Sequence, residues 1–315
     1  MHFLVTGGAG FLGSALANRL REEGHRVSVL DDLSSGDRDR LHPDIVFTQG
    51  DIDNIPLLWS LLQDVDCVYH LAARVSVAQS ILHPRDYNRV NVGGSVSLME
   101  AMRDTGVRRV VFTSSGAVYG SQENLPVREI DAPHPDSPYA VSKWSAEQYV
   151  HTIGQLWGLE TVALRIFNTY GPNQRLPMSH APVIPRFIQQ VLTGGSIVLF
   201  GSGKQTRDFV YIDDVLEALV RSATAEAVNR GIVNIGSGRE TSISELVHQV
   251  AQVTGHEINL INNPSKSGGV PRLVADISRA RELLDFEPKT SLQDGLRLTM
   301  ERDYRFQRFI SPAPT

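Results

Sequence analysis

His2-Phe3-Leu4-Val5-Thr6-Gly7-Gly8-Ala9-Gly10-Phe11-Leu12-Gly13 stands at the start of the chain, and its reading sets the fold. A short, mostly apolar strand runs into glycines at 7, 10 and 13, and a helix-spaced stretch from Ser14 to Glu23 follows, closed by Gly24. Val27 to Leu30 is the next strand, and the same beat returns at Ile45 to Thr48, Cys67 to Leu71, Val110 to Ser114 and Thr161 to Phe167. Strands alternating with helices of this length need right-handed crossovers, which predicts an α/β fold, a Rossmann-type doubly wound parallel sheet. After Gly171-Pro172 the texture changes, with prolines at 172, 177, 182 and 185. Residues 1–170 are therefore expected to form the sheet domain, with 208–232 returning to it. The rest, 171–207 and 233–315, should form a smaller, discontinuous C-terminal domain.

Composition narrows the function. The 315 residues carry 35 acidic and 30 basic side chains, a net charge of −5, with no block of like charge. That balance argues against a nucleic-acid grip built on phosphate neutralisation. No apolar stretch reaches 18 residues, so no membrane span is expected. The lone Cys67 excludes an internal disulfide, and Cys67 with His70 lacks the second pair that a metal site requires. Only six residues precede the glycines, too few for a leader, so a cytoplasmic location is expected.

Glycines spaced G-x-x-G-x-x-G between a strand and a helix suit a pyrophosphate. They allow the turn and close approach to the backbone, while the helix N-terminus offers free N–H groups and positive potential. Gly7, Gly10, Phe11, Leu12 and Gly13 are thus candidate cofactor contacts. Asp31 ends the second strand at the separation that a ribose-binding acid requires, and its charge repels a 2′-phosphate. NAD is favoured over NADP, although Arg38 and Arg40 stand nearby.

In order, the chain reads TGGAGFLG (6–13), LDDLSSG (30–36), GDI (50–52), HLAA (70–73), SSGAVYG (114–120), YAVSK (139–143), FNTYGP (167–172), RDFVYIDD (207–214) and NIGSG (234–238). In this order and spacing it resembles the extended short-chain dehydrogenase/reductase family, in its nucleotide-sugar epimerase and dehydratase branch. The resemblance implies Asp51 and Ile52 by the adenine, Leu71, Ala72 and Ala73 along the cofactor, and Asn91 near the central strands. It also implies a homodimer paired through helices around residues 88–103 and 138–153.

Ser115, Tyr139 and Lys143 are the candidate catalytic residues, the last two also cofactor contacts. Ser137-Pro138 is a good cap and first helical residue, which puts Tyr139 and Lys143 four apart on one helix face. An ordinary tyrosine, with a pKa near ~10, is a poor base. A nearby ammonium and a cationic nicotinamide ring would both lower it. By the family's pattern, Tyr139 takes the proton of the sugar C4 hydroxyl, Ser115 holds that hydroxyl, and a 4-keto sugar forms transiently.

Dehydratases of the branch carry an Asp-Glu pair after the serine, and its decarboxylases usually a glutamate. This chain has Gly116 and Ala117, which cannot transfer a proton. The expectation is therefore an isomerase, a UDP-sugar 4-epimerase. The resemblance implies Asn168 and Arg207 on the diphosphate, Val183, Leu199 and Phe200 around uracil, and Lys266 or Arg272 as a second diphosphate cation. Leu273 matches a position that gates the sugar's 2-substituent, and Arg175 one that holds the carboxylate of UDP-glucuronate. UDP-glucose and UDP-galactose come first, with UDP-N-acetylglucosamine and UDP-glucuronate kept open. The rival readings are a non-catalytic NAD-binding regulator and an NADPH-dependent sugar reductase. Retention of both Tyr139 and Lys143 opposes the first, and Asp31 the second.

Overall fold

The computed structural model describes residues 1–177, 181–264 and 270–309. The N-terminal half runs β1 (His2–Thr6), α1 (Phe11–Glu22), β2 (Arg26–Asp31), β3 (Val46–Gln49), α2 (Ile55–Leu61), β4 (Cys67–His70), α3 (Val77–Leu82), α4 (Pro84–Tyr87), α5 (Gly94–Thr105), β5 (Arg109–Ser115), α6 (Pro138–Trp157) and β6 (Glu160–Ile166). The remainder runs β7 (Asn168–Tyr170), α7 (Val183–Leu192), β8 (Ser196–Phe200), β9 (Thr206–Arg207), β10 (Phe209–Tyr211), α8 (Ile212–Ser222), β11 (Gly231–Ile235), β12 (Thr241–Ser242), α9 (Ile243–Thr254), β13 (Asn259–Asn263), α10 (Ser278–Leu284), α11 (Leu292–Arg302) and α12 (Tyr304–Gln307).

Seven parallel strands form the main sheet in the order β11-β6-β5-β4-β1-β2-β3. Because side chains alternate across a strand, Phe3 and Val5 enter one apolar core while Leu4 enters the other. Both faces are covered: α1 packs on α8, and α5 packs on α2 and α6. Burial on both sides explains why β1 and β4 read as unbroken buried runs. The strand order reverses between β1 and β4, the place where the carboxyl ends of such a sheet open a ligand crevice. Thr6, Asp31, His70 and Ser115 all end strands on that rim.

The later residues build small two-stranded pairs, β7 with β10, β8 with β13 and β9 with β12, beside helices α7 and α9. The segment expected to rejoin the sheet runs further than residue 232. Val233, Asn234 and Ile235 still pair with Leu164, Arg165 and Ile166, because a parallel edge strand must finish its ladder before the chain can leave. Among the described residues, no helix is long and apolar enough to cross a membrane, and no group of three or more His, Cys, Asp or Glu could hold a metal.

Candidate active site

The glycine loop is shaped by contact. Gly7 has φ +69°, and a Cβ there would stand 2.6 Å from the Ala72 backbone nitrogen. A Cβ on Gly13 would fall on the Gly7 carbonyl oxygen. Ala72 is pinned in turn, its N–H donating to Thr6 Oγ1 at 3.3 Å, and the Leu71 N–H donates to the Thr6 carbonyl at 3.0 Å. Leu71 and Ala72 are thus brought against the glycine loop. Helix α1 starts after Gly10 with no side-chain cap, so its first-turn N–H groups face the crevice for an anion, beside Phe11 and Leu12.

Asp31 is buried at 8% exposure, its two oxygens accepting the N–H groups of Ala9 at 3.0 Å and Leu33 at 2.8 Å. Burial pushes its carboxyl up, while those two N–H groups and, at longer range, Arg175 pull it down. Arg175 is exposed, and its charge reaches both Asp31 and Arg40. In the loop that carries it, Asn173 stands at φ +64° and donates its N–H to Asp303 at 2.8 Å. Asp51 accepts from Arg89 at 2.9 Å, and Ile52 is buried against Gly94. A glycine loop, uncapped helix end and ribose-side acid together fit the diphosphate and ribose of NAD.

Asn91 sits in a π-helical turn, Asn88–Gly93, that precedes α5. Its amide accepts the Arg74 N–H at 2.7 Å and donates to the Arg74 carbonyl at 3.0 Å and Ser142 Oγ at 2.9 Å. Asn91 thus ties the loop after Ala73 to α6. The extra residue per turn swings it inward, a feature common at functional sites and invisible to helical spacing.

Helix α6 begins as its sequence demands, with Ser137 Oγ accepting the Ala140 N–H at 3.2 Å and Pro138 in the first turn. Tyr139 and Lys143 therefore share a face, and Ser115 ends β5 beside the tyrosine. Burial pushes the Tyr139 phenol above its ordinary value, and the adjacent Ser115 hydroxyl opposes that rise. The direction is opposite to the lowering that the sequence suggested. The reason is the depth of the face they share: Lys143, one turn on, is 3% exposed, stands over the Phe112 ring at 4.4 Å, and is itself lowered by burial to about 7.

After Ser115, Gly116 packs so that a Cβ would lie 3.1 Å from the Phe167 ring. Tyr119 ends the short turn with its hydroxyl donating to Asn234 at 2.7 Å, and burial raises it to about 12. Residues 116–119 thus present no acid or base able to work near neutral pH.

Across the crevice, β7 and β10 pair so that the Asn168 N–H donates to the Asp208 carbonyl at 3.1 Å, bringing Asn168, whose side chain is exposed, beside Arg207. Arg207 donates to the Thr206 and Val270 carbonyls at 2.6 and 2.7 Å; burial lowers it, and Asp136 acts in the other direction. Arg272 is held by both oxygens of Glu240 at 2.6 Å, so its fork already has a carboxylate. Leu199 and Leu273 are buried in one apolar cluster with Val183 packed against it, and partly buried Phe200 follows Leu199. Lys266 lies outside the described residues.

Sequence reasoning missed Asp208, Glu147 and Arg165. Asp208 is fully buried and accepts four hydrogen bonds, from the N–H and hydroxyl of Ser237 and the N–H groups of Gly238 and Ala275. Glu147 follows Lys143 by one helical turn, a spacing that could have revealed it.

The arrangement matches known proteins over its whole length. The model of the NAD dependent epimerase/dehydratase family matches residues 3–236. A UDP-glucose 4-epimerase of Mycolicibacterium smegmatis is 39% identical over 308 residues, 96% of this chain and 98% of that protein. The crystal structure of a UDP-glucose 4-epimerase with UDP-glucose from Thermotoga maritima superposes with a TM-score of 0.92 at 36% identity, covering 98% of this chain and 99% of that one. That of a Thermus thermophilus UDP-glucose 4-epimerase complex with NAD gives 0.89 at 33% identity, covering 99% and 100%. This chain belongs to the NAD dependent epimerase/dehydratase family.

Proposed function

We propose that the protein is an NAD-dependent UDP-sugar 4-epimerase that interconverts UDP-glucose and UDP-galactose in the cytoplasm. The observation that carries the reading is a Ser115–Tyr139–Lys143 set followed by Gly116 and Ala117. It has the groups for reversible oxidation at C4 and no working acid or base for elimination at C6 or decarboxylation. Relatives at 33–39% identity over nearly the whole chain, carrying the name UDP-glucose 4-epimerase, support it.

When bound, NAD supplies a hydride acceptor that returns what it takes, and a positive charge. Tyr139 Oη removes the proton of the C4 hydroxyl as the C4 hydrogen leaves with its electron pair, giving the 4-keto sugar. After the sugar turns its other face, Tyr139 returns the same proton to the C4 oxygen. Ser115 orients that oxygen, and Lys143 favours the phenolate. Burial holds the Tyr139 phenol up, and the positive charge of bound NAD would oppose that rise. Asn168 and Arg207 hold the diphosphate, leaving the sugar free to turn, while Val183, Leu199 and Phe200 surround the base and Leu273 bounds the C2 side.

A homodimer is part of the proposal. Val75, Val77, Ile81 and Leu82 around α3, and Val141 and Tyr149 on α6, are large exposed apolar side chains, whereas α5 exposes none. Such a face suits a second copy. The test is incubation with NAD and UDP-galactose, UDP-N-acetylgalactosamine or UDP-galacturonate, with products resolved by NMR. Inversion at C4 of UDP-galactose is expected. A 4-keto or C6-altered product would overturn the reading, and inversion of another sugar alone would reassign the substrate.

A further inference from the structure

Behind Lys143 lies a charged group that the reaction as described does not use. Glu147, on α6 one turn beyond Lys143, is fully buried. Its Oε2 accepts Ser114 Oγ at 2.6 Å and Arg165 Nε at 3.1 Å, and its Oε1 accepts Arg165 Nη2 at 2.6 Å. Arg165 lies on β6, is itself 2% exposed, and stacks over the Tyr119 ring at 4.7 Å. One carboxylate therefore joins the helix bearing Tyr139 and Lys143 to the strand ending in Ser115 and to its neighbour.

We propose that Glu147 is a positioning residue of the reaction, its buried carboxylate standing one helical turn from Lys143 and locking Tyr139 and Ser115 into register through Ser114 and Arg165. The inference rests on the reading of Tyr139 as the base. The charges around Lys143 single Glu147 out. His70 on β4 is kept neutral by burial, Tyr119 after β5 is raised to about 12, Tyr87 on α4 is raised by burial, and Arg165 on β6 is positive. Among these neighbours Glu147 is the negative one. Burial lowers Lys143 to about 7, and the Glu147 carboxylate opposes the fall. Ser114 adds a mechanical link, since its neighbour Ser115 must meet the tyrosine.

The test reads Tyr139 directly, by the tyrosinate absorbance of the NAD-loaded protein against pH, with Tyr139→Phe as the blank. No substrate is needed, so its failure is separable from a failure of the epimerase reading. In Glu147→Gln the midpoint should move up by about one pH unit, with turnover at pH 7 falling about tenfold, the low end of what an opposite charge at this range does. Glu147→Asp, which keeps the charge, should restore the midpoint. Should the single variant not fold with Arg165 unpaired, Glu147→Gln/Arg165→Met removes both charges. Its midpoint should still rise, though less, because Arg165 extends away over Tyr119. An unmoved midpoint in whichever neutral variant folds, even with lowered melting temperature, would reduce Glu147 to a structural residue and overturn the proposal.

Discussion

His70 offers a magnitude that can be worked through. It ends β4 at 1% exposure between two hydroxyls, with Nδ1 2.8 Å from Thr6 Oγ1 and Nε2 2.9 Å from Ser95 Oγ. The Ser95 hydroxyl donates to the Asn91 carbonyl at 2.6 Å, so Nε2 must carry the proton, and Nδ1 accepts from Thr6. This chain of bonds needs a neutral ring. Burial, helped by the Lys143 charge, lowers His70 to about 3 from 6.5. A base depressed in the folded state contributes stability that is complete above the unfolded pKa and lost as pH falls toward the folded one. Between pH 6.5 and pH 5 the unfolded chain takes up a proton that the folded chain refuses, which costs about 2 kcal/mol at ~1.4 kcal/mol per unit. Urea unfolding at pH 7 and pH 5, for the wild type and His70→Gln, isolates this share because the other titrating groups are common to both. The wild type should lose about 2 kcal/mol more than the variant over that interval. Equal losses would refute the buried neutral ring.

Two further outcomes follow from the site. Tyr139→Phe should lower kcat by about 10² to 10⁴-fold, the range of a lost general base, with NAD content unchanged; turnover within a few fold of wild type would remove Tyr139 from the chemistry. Gly13→Ala should lose bound NAD and destabilise the fold by about 1–3 kcal/mol, because the new methyl falls on the Gly7 carbonyl oxygen, and full NAD occupancy in the purified variant would contradict the loop's role.

What was legible in the sequence is what local chemistry dictates. Glycines at 7 and 13, the Ser137-Pro138 cap and the acid ending β2 each have a reason within a few residues, and each stands where the pattern put it. What was not legible depends on strand order. Glu147 meets Ser114 and Arg165 because β5 and β6 are neighbours beneath α6, and Asp208 gathers donors from loops that are distant in sequence. The directions of the Tyr139 and Lys143 shifts were hidden for the same reason. Spacing tells that two groups share a helix face but not how deeply the face is buried, and here burial is the largest influence on both. The hydrogen bonds of Asn91 come from a π-helical turn, whose backbone aims a side chain in a way that periodicity does not describe.

The central claim is that C4 is oxidised and then reduced by the same hydrogen from the opposite face. UDP-galactose carrying deuterium at C4, incubated with the NAD-loaded protein and analysed by NMR, tests this most directly. UDP-glucose should form with the deuterium retained at C4 and none released to water. Inversion with loss of the label to solvent, or label found on free NADH, would contradict it.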